Sequence, residues 1–360
     1  MLSLLLPNGG EMLSLLKELS ELPGVSGAEE AVRERIIKAI EGRADSWRVD
    51  ALGNLLAVKK ARKGKGGLKV MLAAHMDEVG LMVTHINKDG FLTVRPVGEV
   101  DGRILLAKRV AIGRDKVPGV IGLKPIHLLE PEERDRVIKV EQLAVDIGAS
   151  DEEEAKKKVK VGDVASFTTV FEELGEEGLA AVKGKALDDR AGCALLVELL
   201  EGDYPFELHA AFTVQEEVGL RGAKVAAYAV EPDAAFVLES TVCDDLPKKK
   251  DTSPGTRMGK GPAITIADRA FIAAKGLVKL LVETAEAEGI PYQFKQPNVG
   301  STDAGAIHLA REGVPTAAVS IPTRYIHSPA SLLSRKDFEN TLKLMRAALS
   351  RLTEEAIRSF

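Results

Sequence analysis

Several short segments of the chain end an apolar run with acidic residues or a histidine. The first is AAHMDEVG at residues 73–80, where His75 and Asp77 close an apolar run. Side chains two residues apart on a strand share a face. The Asp77 carboxylate can therefore accept the second ring N–H of His75 and fix the tautomer of a metal-ligating imidazole. Taken alone, the pair is read more simply as a surface histidine at a strand end.

Two neighbouring carboxylates, Asp188 and Asp189, lie in KALDDR at residues 185–190 and precede a predicted helix. One of them could bridge two cations at carboxylate-to-metal distances of roughly 2.0–2.2 Å. The alternative is an N-capping pair that satisfies the first amides of the helix and complements its dipole. The segment alone favours that alternative.

A second pair, Glu216 and Glu217, follows the strongly apolar AFTV run and precedes a glycine-rich turn. Adjacent carboxylates at the mouth of a buried strand lose hydration and repel each other, so they need compensation. A cation would compensate one of them and leave the other free as a base. A solvated pair is the alternative, but the flanking sequence is not typical of a surface.

Two more segments contribute one candidate each, because Glu239 ends the apolar FVLES run and His327 follows the TAAVSIP run. Each is more easily read as structural when considered alone. Two imidazoles and three carboxylates, however, form a donor set suited to two borderline divalent cations that share one aspartate. That set is His75, Asp188, Glu217, Glu239 and His327. The remaining histidines are interpreted as structural, namely His85, His127, His209 and His308.

The elements that carry these segments indicate an α/β domain with a β-rich insertion. Residues 80–168 contain short strand-like pieces separated by Gly, Pro and Asp turn signals, whereas the α/β pattern resumes near residue 185. Near the N-terminus, Ser26 with Glu29 three residues later has the pattern of a helix cap. Strand ends of an open α/β sheet are where ligands bind, so the candidate residues are expected to meet there.

Composition restricts the class of protein and its partners. With 360 residues, 45% apolar and 29% charged, the chain is typical of a globular protein large enough for two domains. The net charge of −5 does not call for nucleic acid as a partner. The N-terminal segment lacks a basic region and a cleavage site, and no stretch approaches the ~20 apolar residues of a membrane span. A cytoplasmic protein with no membrane partner is therefore expected.

Six ordered motifs across nearly the whole chain resemble those of the M42 metallopeptidases, the tetrahedral (TET) aminopeptidases, also called glutamyl or deblocking aminopeptidases and, in older usage, M42 glucanases. The resemblance implies a mixed-sheet catalytic domain (residues 1–77 and 169–360) interrupted by a barrel-like dimerisation domain (residues 78–168). It also implies short peptides as substrates and a homo-oligomer, with dimers assembled into a tetrahedral dodecamer. The motifs are LPGVSGAE, AAHMDEVG, KALDDRAG, QEEVGLRGA, STDAGAIH and RYIHSP.

Residue by residue, the resemblance implies that two Zn²⁺ or Co²⁺ ions share a hydroxide and that Asp188 bridges both ions. His75 and His327 would each bind one ion, while Glu217 and Glu239 complete the separate shells. Glu216 would be the general base of an aminopeptidase, and Asp77 would orient His75. The resemblance further implies a cis peptide bond between Asp188 and Asp189.

Other functions remain open on the sequence. A dimetal carboxypeptidase would need a cation for the substrate's C-terminal carboxylate, and Arg324 could supply it; an N-deacylase of related fold is a further alternative. A glucanase would use two carboxylates and no metal. A structural metal site would be closed and usually rich in cysteine. Glu216, a carboxylate that the two metal shells do not need, argues against such a site.

Overall fold

The computed structural model describes residues 9–61, 67–130, 138–243, 245–246, 255–297 and 299–358. Helices and two β structures account for most of these residues. The helices are α1 (Gly9–Glu21), α2 (Glu30–Ile40), α3 (Glu152–Lys158), α4 (Leu187–Leu199), α5 (Arg221–Val230), α6 (Lys275–Glu288), α7 (Ala304–Ile307), α8 (Arg335–Arg351) and α9 (Glu354–Arg358).

An 11-stranded mixed sheet forms the larger part of the fold. Nine of its strands follow one another in the order β1-β2-β12-β3-β13-β16-β17-β11-β10, and β14 pairs with both β15 and β16. The strands are β1 (Ser46–Val49), β2 (Leu55–Lys59), β3 (Lys69–His75), β10 (Glu172–Leu174), β11 (Ala181–Gly184), β12 (Glu207–Thr213), β13 (Ala234–Val242), β14 (Ala263–Ile264), β15 (Gln293–Phe294), β16 (Thr316–Arg324) and β17 (Ser331–Ser334).

The centre of the sheet is parallel: β12 pairs with β3, β3 with β13, and β13 with β16 in parallel register. These strands are continuous apolar runs because both faces of the parallel centre are covered. Helices α1, α2, α4 and α8 cover one face around a large apolar core, and α5 and α7 cover the other. The carboxyl ends of the four central strands therefore lie at one edge of a rigid, buried platform.

Six strands form a closed antiparallel barrel in the order β4-β5-β8-β7-β6-β9. Its interior is filled by alternate apolar side chains such as Leu81, Val94 and Ile121, which are completely buried. The β-rich insertion predicted from the turn-rich sequence is confirmed as this barrel. Its strands are β4 (Gly80–Ile86), β5 (Leu92–Val97), β6 (Arg109–Ile112), β7 (Val117–Gly122), β8 (Ala144–Asp146) and β9 (Val164–Phe167).

The helix cap predicted at Ser26 is wrong. Helix α2 begins at Glu30, and its cap residue Glu29 makes no side-chain capping hydrogen bond. The Ser26 hydroxyl instead donates a hydrogen bond of 2.6 Å to Oδ2 of Asp77. Ser26 therefore contacts the candidate site residue Asp77 and does not cap helix α2.

Within the described ranges, the structure contains no helix that is both long and apolar enough to cross a membrane.

Candidate active site

The strand ends bring the candidate residues together at the edge of the parallel sheet. Thr213 pairs with His75 in the β12–β3 register, so Glu216 and Glu217, just beyond β12, lie beside the end of β3. Glu239 lies near the end of β13, the neighbour of β3. These residues lie close together because the carboxyl ends of parallel strands meet at the same edge of the sheet.

Asp188 lies between the two histidines. Its Oδ1 is 3.3 Å from Nε2 of His75, and its Oδ2 is 3.4 Å from Nε2 of His327. Each histidine also faces its own glutamate: Nε2 of His75 is 3.5 Å from Oε2 of Glu239, and Nε2 of His327 is 3.2 Å from Oε2 of Glu217. The five residues thus form two clusters that share Asp188. The peptide bond from Asp188 to Asp189 is cis, as the resemblance implies.

Asp77 contacts both His75 and the loop that carries the two glutamates. Nδ1 of His75 is 3.1 Å from the backbone carbonyl oxygen of Asp77 and 3.5 Å from its Oδ1. The Asp77 carboxylate accepts backbone N–H bonds from Glu216 (3.0 Å) and Glu217 (3.1 Å). Asp77 is completely buried, so this single carboxylate fixes the imidazole and the glutamate loop relative to each other.

Glu216 differs from the other acidic residues of the site. Its side chain lines a cavity together with His75 and Asp188, but it belongs to neither of the His/Asp/Glu groups that could hold a metal ion. Burial raises the pKa of Glu216 well above its ordinary value, and repulsion from Glu239 adds to the effect of burial while His75 opposes it. A carboxyl whose pKa is moved toward neutrality can both accept and return a proton.

The charges at the shared cluster perturb one another strongly. Burial and the Asp188 carboxylate raise the pKa of Glu217 to about 8. Although burial opposes protonation of His327, the Asp188 and Glu217 carboxylates raise the pKa of His327 to about 9. Burial also disfavours the Asp188 anion, but His327 and His75 hold the pKa of Asp188 below its ordinary value. The anions of this cluster therefore depend on adjacent positive charge.

Two buried carboxylates outside the predicted donor set also lie at the site. Asp189 joins His75 and Glu239 in one group whose donor atoms all lie within 4.8 Å of one another. Asp303 accepts a hydrogen bond of 2.5 Å from the Thr213 hydroxyl, and burial together with Glu239 raises the pKa of Asp303 to about 7. The motif STDAGAIH contains Asp303, but it does not follow an apolar run, and its histidine, His308, lies five residues after the aspartate.

The loops that present the site residues have left-handed backbone conformations at non-glycine positions. The φ angle is +51° at Ala186, +56° at Gln215 and +55° at His327. Such conformations are unfavourable for residues with a Cβ and concentrate at functional sites. Ala186 lies two residues before Asp188, and Gln215 lies directly before Glu216. The left-handed conformations therefore set the direction of the backbone that carries these carboxylates.

The residues fit a pair of divalent cations. Asp188 Oδ1 and Asp189 Oδ2 are buried and have no hydrogen-bond partner among the described residues, although buried polar atoms normally have one. Imidazole nitrogens and carboxylate oxygens are the ligands that borderline divalent metals accept. The pKa values of the glutamates are raised because these carboxylates are buried and repel one another. Bound cations would compensate this repulsion.

A buried ion pair anchors the segments around the site. Lys185 donates to both carboxylate oxygens of Glu78, at 2.7 and 2.8 Å, and to the backbone carbonyl of Leu22. Arg190 is completely buried, with Nη2 at 3.8 Å from Oε1 of Glu78. Gly24 packs so closely that an added Cβ would lie 2.5 Å from Arg190 Nη2. The segment that carries Ser26 is thus held against the Asp77 loop.

The substitution Lys185→Met is expected to lower the free energy of unfolding by about 3–5 kcal/mol, because it leaves the Glu78 carboxylate buried with weaker compensation. Denaturant unfolding measures the change. The matched control is Lys183→Met, which removes a partly exposed ion pair to Glu172 and should change the free energy of unfolding by about 1 kcal/mol or less. Equal losses in the two variants would contradict the anchoring role of the buried pair.

Two cavities flank the Asp188–His327–Glu217 cluster. The larger has a volume of about 400 Å³ and is lined by Glu216 and Glu239 as well as by the cluster. The smaller, of about 10 Å³, lies toward Phe167 of the barrel and toward Lys185. Of these two, only the larger has room for an amino-acid residue.

Comparison with known proteins gives a family match over most of the chain, and a second model, described as AMPT, matches residues 10–34. A sequence model described as M42 glutamyl aminopeptidase matches residues 53–344. A putative aminopeptidase of Acetivibrio thermocellus is 42% identical over 94% of this chain and 98% of its own length. A lysyl aminopeptidase of Pyrococcus furiosus is 36% identical over 94% of this chain and 96% of its own length.

Solved structures share the fold. The aminopeptidase APDkam598 from Desulfurococcus kamchatkensis superimposes with a TM-score of 0.91 at 39% identity and covers 98% of both chains. The TET1 peptidase of Pyrococcus horikoshii, described as assembling into a tetrahedron or a large octahedral shell, gives a TM-score of 0.84 at 36% identity. It covers 95% of this chain and 100% of that one.

Proposed function

Because this chain belongs to the M42 family of aminopeptidases, we propose that it is a dimetal enzyme that removes the N-terminal residue from short peptides. The observation that carries the proposal is the position of Asp188 between His75 and His327, each with a separate glutamate, beside the unliganded Glu216. A single metal site or a purely structural site would not require a shared carboxylate and a spare one.

Two divalent ions, of the Zn²⁺ or Co²⁺ type, are assigned to the two clusters. His75 and Glu239 would hold one ion, His327 and Glu217 would hold the other, and Asp188 would bridge them. When bound, such ions polarise a substrate carbonyl and acidify water. The donor atoms of Asp189, His75 and Glu239 lie within 4.8 Å of one another. Asp189 would therefore lie next to the first of the two ions.

Glu216 is assigned the proton transfers. Its carboxylate lies in the larger cavity and would accept a proton from the attacking water as the water adds to the first peptide carbonyl. The same carboxyl would then return the proton to the leaving amine. Asp77 fixes the backbone of Glu216 through the N–H bond to Oδ1, which limits where the carboxylate can reach.

The surplus of carboxylates explains why the substrate's N-terminus would be selected. A free α-amine is a cation, and the cavity that contains Glu216 and Glu239 is lined by acidic groups. An N-acetylated peptide has no such charge and presents a bulkier group. An exopeptidase that requires a free amine follows from this electrostatic complementarity.

A carboxypeptidase receives less support than an aminopeptidase. The cation that the sequence suggested for such an enzyme, Arg324, donates two hydrogen bonds of 2.8 Å to the two carboxylate oxygens of Asp245. A bidentate pair of this kind neutralises the guanidinium. Arg324 is therefore not available for a substrate carboxylate without breaking the pair.

We further propose that residues 78–168 form a dimerisation domain, distinct from a catalytic domain made of residues 1–77 and 169–360, and that dimers assemble into a tetrahedral dodecamer. The assembly described for the Pyrococcus horikoshii peptidase supports this proposal. So does the exposure of apolar side chains on the barrel, including Val120 and Val161. Light scattering after size-exclusion chromatography measures the assembly. The cytoplasmic location stays a prediction.

The central experiment compares a peptide with its N-acetylated form. We expect the protein, loaded with Zn²⁺ or Co²⁺, to release the first residue of the free peptide and to leave the acetylated peptide intact. Treatment with a chelator should abolish the release, and added metal should restore it. Release of a C-terminal residue, removal of the acetyl group, or full activity in excess chelator would each contradict the proposal.

A further inference from the structure

Asn54, the residue before β2, is a completely buried amide that contacts both ends of the glutamate loop (residues 214–222). Its Oδ1 accepts the backbone N–H of Val214 at 3.0 Å, and its Nδ2 donates to the backbone carbonyl of Gly222 at 3.0 Å. The two ends also bond to each other, because the N–H of Gly222 donates to the carbonyl of Val214 at 3.0 Å. One side chain, 160 residues before Val214 in the sequence, therefore closes the loop that carries the two glutamates.

The position of the Asn54 amide is itself fixed. Its Nδ2 also donates to Oδ2 of Asp50 at 2.7 Å, and Oδ1 of Asp50 accepts the backbone N–H of Asn54 at 3.0 Å. An asparagine side chain has two amide protons and one carbonyl oxygen, so each of these groups has a partner. A side chain locked by such bonds holds its own partners in a defined geometry.

Contacts at three successive residues hold the first limb of the glutamate loop. The N–H of Gln215 donates to Oε1 of Glu29 at 3.2 Å. The N–H groups of Glu216 and Glu217 donate to the Asp77 carboxylate. Because these contacts lie next to one another in the chain, they do not by themselves prevent rotation of the rest of the loop.

The bond from Asn54 to Gly222 holds the second limb, and this limb is joined to the candidate base. The N–H groups of Gly219 and Leu220 both donate to the backbone carbonyl of Glu216 at 2.9 Å. The contact to Asn54 is close, since an added Cβ on Gly222 would lie 2.3 Å from Oδ1 of Asn54. A shift of the Asn54 amide would therefore move the backbone of Glu216.

We propose that Asn54 is a positioning residue for the general base: by closing the glutamate loop, its amide sets the direction of the Glu216 carboxylate in the larger cavity. Asn54 is buried and does not line that cavity, so it acts through Glu216 and not on the substrate. The inference rests on the proposed aminopeptidase function and adds a residue to its mechanism. A purely structural role would lower stability and leave the kcat of the folded protein unchanged.

The test uses Asn54→Ser, which removes both ties, with kinetics measured on folded protein at saturating metal. We expect kcat to fall by about 10- to 100-fold, the effect of a small misplacement of a catalytic group, with KM nearly unchanged. Gly222→Ala, which crowds the same amide, should reproduce the loss and replaces Asn54→Ser in every measurement if that variant does not fold. The control is Asn87→Ser, because Oδ1 of Asn87 closes a barrel loop by accepting the N–H groups of Asp89 and Phe91. Its kcat should equal that of the wild type.

The Glu216→Gln background separates positioning from structure. If Asn54 acts through the Glu216 carboxylate, adding Asn54→Ser to Glu216→Gln should cause no further loss of kcat. Losses that multiply in the double variant would overturn the inference while the aminopeptidase function stands. So would a wild-type kcat in Asn54→Ser, or an equal loss of kcat in Asn87→Ser.

A wild-type protein that releases no N-terminal residue would refute the proposed function, and hydrogen exchange then tests the loop closure separately. Amide exchange in peptides that cover residues 214–222 should be about tenfold faster in Asn54→Ser than in wild type, the effect of one lost hydrogen bond. Asn87→Ser should leave this exchange unchanged. Equal exchange in Asn54→Ser and wild type would show that Asn54 does not hold the loop.

Discussion

The substitution Glu216→Gln is expected to lower kcat by about 10²–10⁴-fold, the usual contribution of a general base, while the metal content remains that of the wild type. Glutamine has the same shape as glutamate but cannot accept the proton. The backbone N–H bond from residue 216 to Asp77 is unaffected by the change. Glu216 lies outside both potential metal groups, so removal of its charge should leave metal binding in place.

The measurement combines steady-state kinetics with metal analysis of the purified protein. Glu217→Gln is the informative comparison, because Glu217 lies 3.2 Å from Nε2 of His327 and its substitution should reduce metal content as well as activity. Glu283→Gln, on the exposed side of α6, controls for the general effect of a lost charge. Near-normal kcat in Glu216→Gln would refute its role as base, and loss of metal would show that it is a ligand.

The parts of the site that the sequence predicted lie at strand ends. His75, Glu239 and the Glu216–Glu217 pair each follow a continuous apolar run, and parallel strands bring their carboxyl ends to one edge. The sequence therefore contained the information that places these residues together. The barrel was predictable for a similar reason, because turn signals recur at short intervals and exclude long helices between residues 80 and 168.

The parts that were not predicted depend on contacts between distant segments. Ser26 has the pattern of a helix cap, but its hydroxyl donates to Asp77, 51 residues away. Asp303 carries no local signal, since it becomes a candidate only because the fold buries it against Thr213 at the end of β12. Neither propensity nor periodicity reports which side chain of a loop is buried.

Backbone conformation was a further source of missing information. Ala186, Gln215 and His327 have left-handed φ angles that nothing in their residue types favours. Local preference opposes these conformations, and the surrounding structure imposes them. Asp188 and Asp189 have non-helical backbone angles at the start of α4. The N-capping interpretation holds for Asp189, because its Oδ1 accepts a hydrogen bond of 2.9 Å from the N–H of Gly192. It is wrong for Asp188, which faces the two histidines.

The substitution His327→Ala is expected to remove one of the two proposed metal ions and nearly all activity. His327 offers Nε2 to both Asp188 and Glu217, and it is the only nitrogen donor assigned to that ion. Loss of a group that merely orients a ligand lowers metal affinity by about 10–100-fold, so loss of the ligand itself should exceed that range. Metal analysis is expected to give two ions per chain for wild type and one for the variant.

His308→Ala is the matched control for the loss of an imidazole. His308 is half-buried, and its Nδ1 lies 2.9 Å from the backbone carbonyl of Ala304 rather than near a carboxylate pair. Its substitution should leave both the metal content and kcat unchanged. A His327→Ala protein that still holds two ions per chain would show that His327 is not a ligand. The second ion would then be held by other residues, and the assignment of Asp188 as the bridge to an ion at His327 would have to be abandoned.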